Sequence, residues 1–292
     1  MSTRSSNASS GPEIESIAGA AIQAHGFVVA VDRDWRILHT SDNLHEFLSD
    51  EGAAITGRPL SDLFSSAVVH ALRNQLSLSR DPERGARLFA VDLPGSSRPF
   101  DMAMRMRDDM VSMDVLPAAH VEAGDPIGSV RDLFTSLNDM SIADTKLRAC
   151  ALMRALTGFG MVAMIGADGE VACVSSRSEG DAPPPPPFPT AQTRLICDLD
   201  GVTSALPPGA DAACIETSLL REAESTERNW MRQCGAVACM RLPATVPGGV
   251  LCEFVGLDRS RRLMPLDRVA AAELFTDMIG MRIALMEAQM QT

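Results

Sequence analysis

Near the N-terminus the run Phe27 to Val31 is apolar without interruption, rich in β-branched residues, and bounded by Gly26 and Asp32. That pattern predicts the first strand of a sheet. Trp35 to Thr40 alternates apolar and polar positions, so the Arg33-Asp34 turn closes a hairpin. Asn43 to Leu48 reads as a short helix and Ser65 to Leu78 as a longer one. Three strands follow, at Arg87 to Leu93, Pro99 to Met106 and Met110 to Leu116. In the middle one, Phe100, Met102, Met104 and Met106 alternate with Asp101, Ala103 and Arg105, which predicts a sheet with one buried face.

The small-residue and acidic stretch Pro117 to Pro126 interrupts the pattern. Beyond it, Ile127, Val130, Phe134, Leu137, Leu147, Leu152 and Leu156 recur at near-helical spacing. They predict two helical pieces that meet near Ser141 and end at Gly158. Met161 to Ile165 and Glu170 to Val174 form a hairpin around Ala167-Asp168-Gly169. The run Pro183 to Pro187 extends as a polyproline spacer, read here as a stiff surface loop, with docking to an SH3-like partner as the alternative. Next come a strand at Arg194 to Leu199, a Gly/Pro loop to Gly209, and a mostly helical stretch from Cys214 to Trp230. Two more strands are predicted at Met231 to Arg241 and Gly248 to Val255.

Pro265 opens the last helix, which carries two apolar stripes. Ala270, Leu274, Met278, Met281 and Leu285 form one; Ala271, Phe275, Ile279, Ile283 and Met286 form the other. A helix apolar on two faces has more surface than one core covers. The surplus apolar surface predicts a partner helix from another subunit, and so a homodimer through a helical bundle.

Composition narrows the function classes. With 292 residues, 46% of them hydrophobic, the chain is long enough for two domains with separate cores. No apolar run approaches the roughly 18 residues of a membrane span, and the polar start MSTRSSNASSG has no signal-peptide core. A cytoplasmic protein without membrane attachment is expected. A net charge of -12 argues against nucleic acid as a partner. The seven cysteines, at 150, 173, 197, 214, 234, 239 and 252, include no C-x-x-C pair and are read as reduced core thiols. All five histidines fall in the first domain or its linker, no Ser/His/Asp spacing stands out, and no enzyme is expected.

Several motifs carry a resemblance. Gln23-Ala24-His25-Gly26, leading into the Phe27 strand, resembles the Gln-Pro-His-Gly element of bacterial phytochromes, with Ala24 in place of proline. Gly57-Arg58-Pro59-Leu60-Ser61-Asp62-Leu63-Phe64 is similar to the segment that leads into the next helix of a PAS fold. In the second half, Leu156-Thr157-Gly158-Phe159, Arg194-Leu195-Ile196-Cys197-Asp198, Leu219-Leu220-Arg221 and Trp230 to Gly235 resemble successive segments of the phytochrome GAF domain. The resemblance implies an α+β architecture of tandem PAS and GAF domains, each a mostly antiparallel sheet flanked by helices, with long helices for dimerisation. The expected division is a disordered tail at 1–12, PAS at 13–118, a linker at 119–126 and GAF at 127–292.

The resemblance also implies where a linear tetrapyrrole would sit, and most of that chemistry is absent. The thiol that attaches biliverdin in the family falls at Ser10 or Gly11, and the first cysteine is Cys150, so attachment by that route is excluded. The loop that supplies an aspartate to the pyrrole nitrogens is deleted where Phe188-Pro189 passes to Thr190. The two pocket histidines fall on Glu227 and on Phe254 or Val255. The ring-packing tyrosines fall on Ile165, Thr217 and Trp230, in a chain without tyrosine, and two propionate-binding serines fall on Cys239 and Arg241. What remains is Arg194 and Arg221, at the family's two propionate-binding positions, with solvated surface charges as the alternative.

Two functions follow as expectations. The leading one is a sensory module that has lost its chromophore, needs no cofactor, and acts through homodimerisation and a signalling partner such as a separate histidine kinase. The alternative is a sensor that binds biliverdin, haem or a small anion non-covalently at Arg194 and Arg221.

Overall fold

The computed structural model describes residues 21–48, 55–79, 85–118, 126–177, 182–188, 190–207, 210, 213–246 and 249–290. The predicted tail and nearly all of the predicted linker lie outside these residues.

The first part of the chain comprises β1 (Ala21–Gln23), β2 (Phe27–Asp32), β3 (Ile37–Thr40), α1 (Ser66–Leu78), β4 (Ala86–Asp92), β5 (Pro99–Arg107) and β6 (Met110–Pro117), with 3-10 turns at Asp42–Glu46 and Leu60–Asp62. Strands β2 to β6 form one antiparallel sheet in the order β3-β2-β6-β5-β4. Its core packs Phe27, Val29, Phe64, Leu72, Phe100 and Met113. Gly26 must be a glycine, because a Cβ there would stand 2.7 Å from the Val115 carbonyl oxygen.

The second part contains α2 (Pro126–Thr135), α3 (Ile142–Thr157), β7 (Met161–Gly166), β8 (Val171–Ser176), β9 (Arg194–Ile196), β10 (Thr203–Ala205), α4 (Ala213–Glu216), α5 (Ser225–Gln233), β11 (Ala238–Val246), β12 (Gly249–Asp258) and α6 (Leu266–Met290). Ser141 caps α3 by accepting from the Asp144 amide, and Gly158 ends it in the left-handed region at φ 76°. The sheet runs β8-β7-β12-β11-β9, antiparallel throughout. Helices α2, α3 and α6 cover one face around Met153, Met240, Phe254 and Phe275. Helix α5 covers the other, with Trp230 and Met231 over Ile165, Cys239 and Val255.

Three expectations are corrected. The strand with one buried face is buried on both, because Asp101, Ala103 and Arg105 face the second part while Phe100, Met102 and Met104 face their own core. The stretch Cys214 to Trp230 is two short helices parted by 217–224, where backbone carbonyls are taken by other elements: that of Leu220 accepts from the Gln23 amide, and those of Arg221 and Glu222 from the Arg194 guanidinium. The strand predicted from Met231 starts only at Ala238, since α5 runs through Gln233 and turns at Gly235, where φ is 63°.

The two parts are stitched together. Strand β1 leaves its own domain and pairs with β10 inside the predicted Gly/Pro loop, with Ala21 opposite Ala205. The Gln23 side chain extends the exchange: its Nε2 donates to the Leu195 carbonyl at 2.8 Å and its Oε1 accepts from the Cys197 amide at 2.7 Å. A buried polar seam lies beside it. Asp114 accepts from the Leu219 amide at 2.8 Å and from Ser218 Oγ, and pairs with Arg105 at 3.4 Å. Arg87 pairs with Glu273 of α6 at 2.6 Å.

On α6 the two stripes part company. Ala271, Phe275, Ile279 and Ile283 are buried, while Leu274, Met281 and Leu285 are 40%, 54% and 65% exposed. No helix among the described residues is long and apolar enough to cross a membrane.

Candidate functional site

Strand β9 places Arg194 on the α5 face of the second sheet, and β11 places Arg241 directly opposite it in register. Two guanidinium groups side by side in a buried layer repel, so the arrangement requires anions. Helix α5 supplies one of them. Glu227, fully buried, accepts from Arg194 Nη2 at 2.9 Å. Strand β12 supplies the other, as Glu253 takes a bidentate pair from Arg241 at 2.6 and 3.0 Å. The result is a buried cluster of two arginines and two glutamates with no net charge.

Burial acts on Arg194, Glu253 and Arg241. It lowers the pKa of Arg194, with Glu227 pulling the other way and Arg221 adding to the lowering. It raises the pKa of Glu253, which the hydrogen bonds and charge of Arg241 counter. Burial also opposes the charge on Arg241, but its hydrogen bonds and Coulomb attraction to Glu253 outweigh that and raise its pKa. Arg241 Nη2 also donates to the Phe188 carbonyl, and the guanidinium lies 5.2 Å from the centre of the Phe188 ring. Among the described residues, Glu227 Oε1, Arg194 Nε and Arg241 Nη1 find no hydrogen-bond partner, a cost on the order of 1–3 kcal/mol each.

The rest of the layer is packed. Trp230 lies over the sheet and donates Nε1 to the Pro184 carbonyl at 3.0 Å, which ties the proline run down as a cover. Cys239, between Glu227 and the arginines in electrostatic range, is fully buried, and burial raises its pKa well above the usual thiol range. Beside these side chains, at the end of α5, a cleft of about 550 Å³ is lined by Met161, Ser176, Pro184, Cys234 and Leu257.

The two arginines singled out by sequence are neighbours: Arg194 Nη1 donates to the Arg221 carbonyl at 2.6 Å. They differ in exposure. Arg194 is 5% exposed, which removes the reading of a solvated surface charge. Arg221 is partly exposed, pairs with Glu224 at 3.4 Å, and faces a cleft of about 500 Å³ shared with Arg105, Gln192 and Thr217. Its Nε is buried and finds no hydrogen-bond partner among the described residues. His25, of the Gln23-Ala24-His25-Gly26 turn, is partly buried, and its pKa falls to about 4 through burial and the charge of Arg261. Among the described residues, no group of three or more His, Cys, Asp or Glu side chains could hold a metal ion.

The roles of Arg241, Glu253 and Glu227 as mutual partners were not read from sequence. A signal existed: Arg241 and Glu253 each interrupt an apolar strand, Cys239-Met240-Arg241-Leu242 and Cys252-Glu253-Phe254-Val255, where an unpaired charge would not be tolerated.

With this geometry in hand, the class of protein is defined by its fold. Residues 14–118 match the PAS fold family. Over 92% of its length the chain has the two-domain fold of a bacteriophytochrome chromophore-binding domain. It superposes on the chromophore-binding domain of an unusual bacteriophytochrome, RpBphP3, from R. palustris with a TM-score of 0.75 at 21% identity, covering 92% of this chain and 96% of that one. The photosensory core module of Stigmatella aurantiaca phytochrome matches with a TM-score of 0.76 at 20% identity, and here the chain spans 58% of that module's length. The chromophore-binding domain of Stigmatella aurantiaca phytochrome P1 matches at 0.74 and 20% identity over 89% of this chain and 95% of that one. No curated protein matches the chain by sequence.

Proposed function

We propose that this chain is a phytochrome-like PAS-GAF signalling module that works without a bilin, through homodimerisation and contact with a separate output protein in the cytoplasm. The observation that carries the reading is the Arg194–Glu227 pair. An arginine whose counterpart in the resembled family meets a propionate is here met by the protein's own carboxylate, at 2.9 Å, in a fully buried layer. A tetrapyrrole would have to displace Glu227, Trp230 and the Pro184 contact, and would find neither the aspartate loop nor the histidines. Loss of an external ligand leaves protein contact as the means of signalling, and the Leu274–Met281–Leu285 stripe supplies an apolar surface for it. No activated nucleophile or acid–base pair accompanies the cluster, so the module is not read as an enzyme.

One observation favours a second reading, in which Arg221 and its cleft take a small anion non-covalently. Sedimentation velocity tests the leading one. The wild-type chain sediments as a dimer and a Met281→Glu/Leu285→Glu variant as a folded monomer; a wild-type chain that stays monomeric at high concentration contradicts the dimerisation mechanism.

A further inference from the structure

A second feature of the GAF-like part is unrelated to the ionic cluster. Cys150, on the buried face of α3, and Cys173, on the edge strand β8, bring their Sγ atoms to 3.1 Å. Both are free thiols. We propose that Cys150 and Cys173 form a peroxide-oxidisable dithiol, and that its disulfide ties helix α3 to the edge of the second sheet.

Three observations support the pair as reactive and not merely adjacent. The first is distance: a disulfide closes at about 2.05 Å, so the sulfurs need to approach by about 1 Å, between a helix and an edge strand that already pack together. The second is asymmetry of access. Cys150 is fully buried, whereas Cys173 keeps partial exposure at the sheet edge, where a small oxidant reaches it. The third is asymmetry of charge. The contact between the two sulfurs lowers the pKa of Cys173 against the opposing effect of burial, with the Lys146 ammonium adding to the lowering, while the same contact and burial raise that of Cys150. The difference in exposure makes Cys173 the first thiol to meet the oxidant and Cys150 the resolving one.

The chemistry balances with hydrogen peroxide as oxidant. The Cys173 thiolate attacks one peroxide oxygen, the O–O bond breaks, and hydroxide leaves to take a solvent proton, giving a sulfenic acid and water. The Cys150 sulfur then attacks the Cys173 sulfur; the S–S bond forms, the S–OH bond breaks, and the departing hydroxide takes the Cys150 proton as a second water. Two thiols are oxidised by two electrons and one peroxide is reduced. In a reducing compartment such a bond is transient, which suits a sensor more than a structural staple. Its mechanical consequence lies close by. Helix α3 packs along α6, and Lys146 reaches Glu287 of α6 at 3.9 Å, so a cross-link at Cys150 bears on the helix that carries the exposed stripe.

The test uses the whole chain, reduced and freed of reductant, then treated with hydrogen peroxide, alkylated under denaturing conditions and digested. The expected result is the loss of two of the seven alkylatable thiols, with one cross-linked peptide pair carrying Cys150 and Cys173, reversed by dithiothreitol. A Cys150→Ser chain is expected to accumulate a sulfenic acid on Cys173 that dimedone captures, and a Cys173→Ser chain to leave Cys150 unmodified. Cross-linking of either cysteine to Cys252 instead, or retention of all seven thiols under peroxide that oxidises an exposed reference thiol, would overturn the proposal.

Discussion

Arg194 and Glu227 meet at 2.9 Å, between a sheet strand and the helix that covers it, with both side chains almost completely out of solvent. Such a pair contributes little net stability, because desolvating both charges offsets their attraction. Breaking it is another matter. Arg194→Met strands the Glu227 carboxylate and is expected to cost about 3–5 kcal/mol in urea unfolding. The double variant Arg194→Met/Glu227→Leu should recover most of that loss. Equal destabilisation by the single and double variants would show that the bonds of Arg194 to the Arg221 and Glu222 carbonyls, and not its pair with Glu227, carry the effect.

Gln23 works as a piece of strand without being one, satisfying the Leu195 carbonyl and the Cys197 amide across the domain boundary. Gln23→Ala leaves both groups buried and unpaired, at a cost on the order of 2–3 kcal/mol. Hydrogen exchange at the Cys197 amide should accelerate sharply while the central strand β6 keeps its protection. Unchanged exchange at Cys197 would mean that β9 does not depend on this side chain.

His25 makes stability depend on pH. In the folded chain its pKa is lowered from 6.5 to about 4, so the unfolded chain binds the proton first as the solution is acidified. The contribution is therefore complete above pH 6.5 and is lost as the pH falls toward 4. After allowance for partial exposure it amounts to about 2 kcal/mol. His25→Gln should flatten the unfolding free energy across that window, and an unaltered slope would assign the acid sensitivity to other groups.

Helix α6 stands on β11 at Gly280. A Cβ there would lie 2.9 Å from the Ala244 Cβ, closer than packed carbons approach. Gly280→Val should lift the helix and cost about 1–3 kcal/mol, read as a lowered melting temperature. A neutral result would indicate that α6 has room to shift.

Much of the fold was legible in local pattern. The run at Phe27, the break between helices near Ser141 and the Gly158 stop all speak through neighbours a few residues away. What stayed hidden depends on distant partners. Strands β1 and β10 have three residues each and exist because Ala21 finds Ala205. The gap between α4 and α5 exists because Gln23 and Arg194 take its carbonyls. Ala103 reads as an outward position until the second domain covers it. The site divides in the same way: Arg194 and Arg221 stood out by their place in a family pattern, but no local signal says that Glu227, thirty-three residues beyond Arg194, supplies the carboxylate.

That substitution of an internal carboxylate for an external one is the central claim, and colour tests it most directly. The visible absorption spectrum of the chain, purified from cells that also express a haem oxygenase producing biliverdin, is predicted to show no band above the protein's own ultraviolet absorption. A red-absorbing chain that photoconverts would contradict the account and return Arg194 and Arg221 to the service of a chromophore.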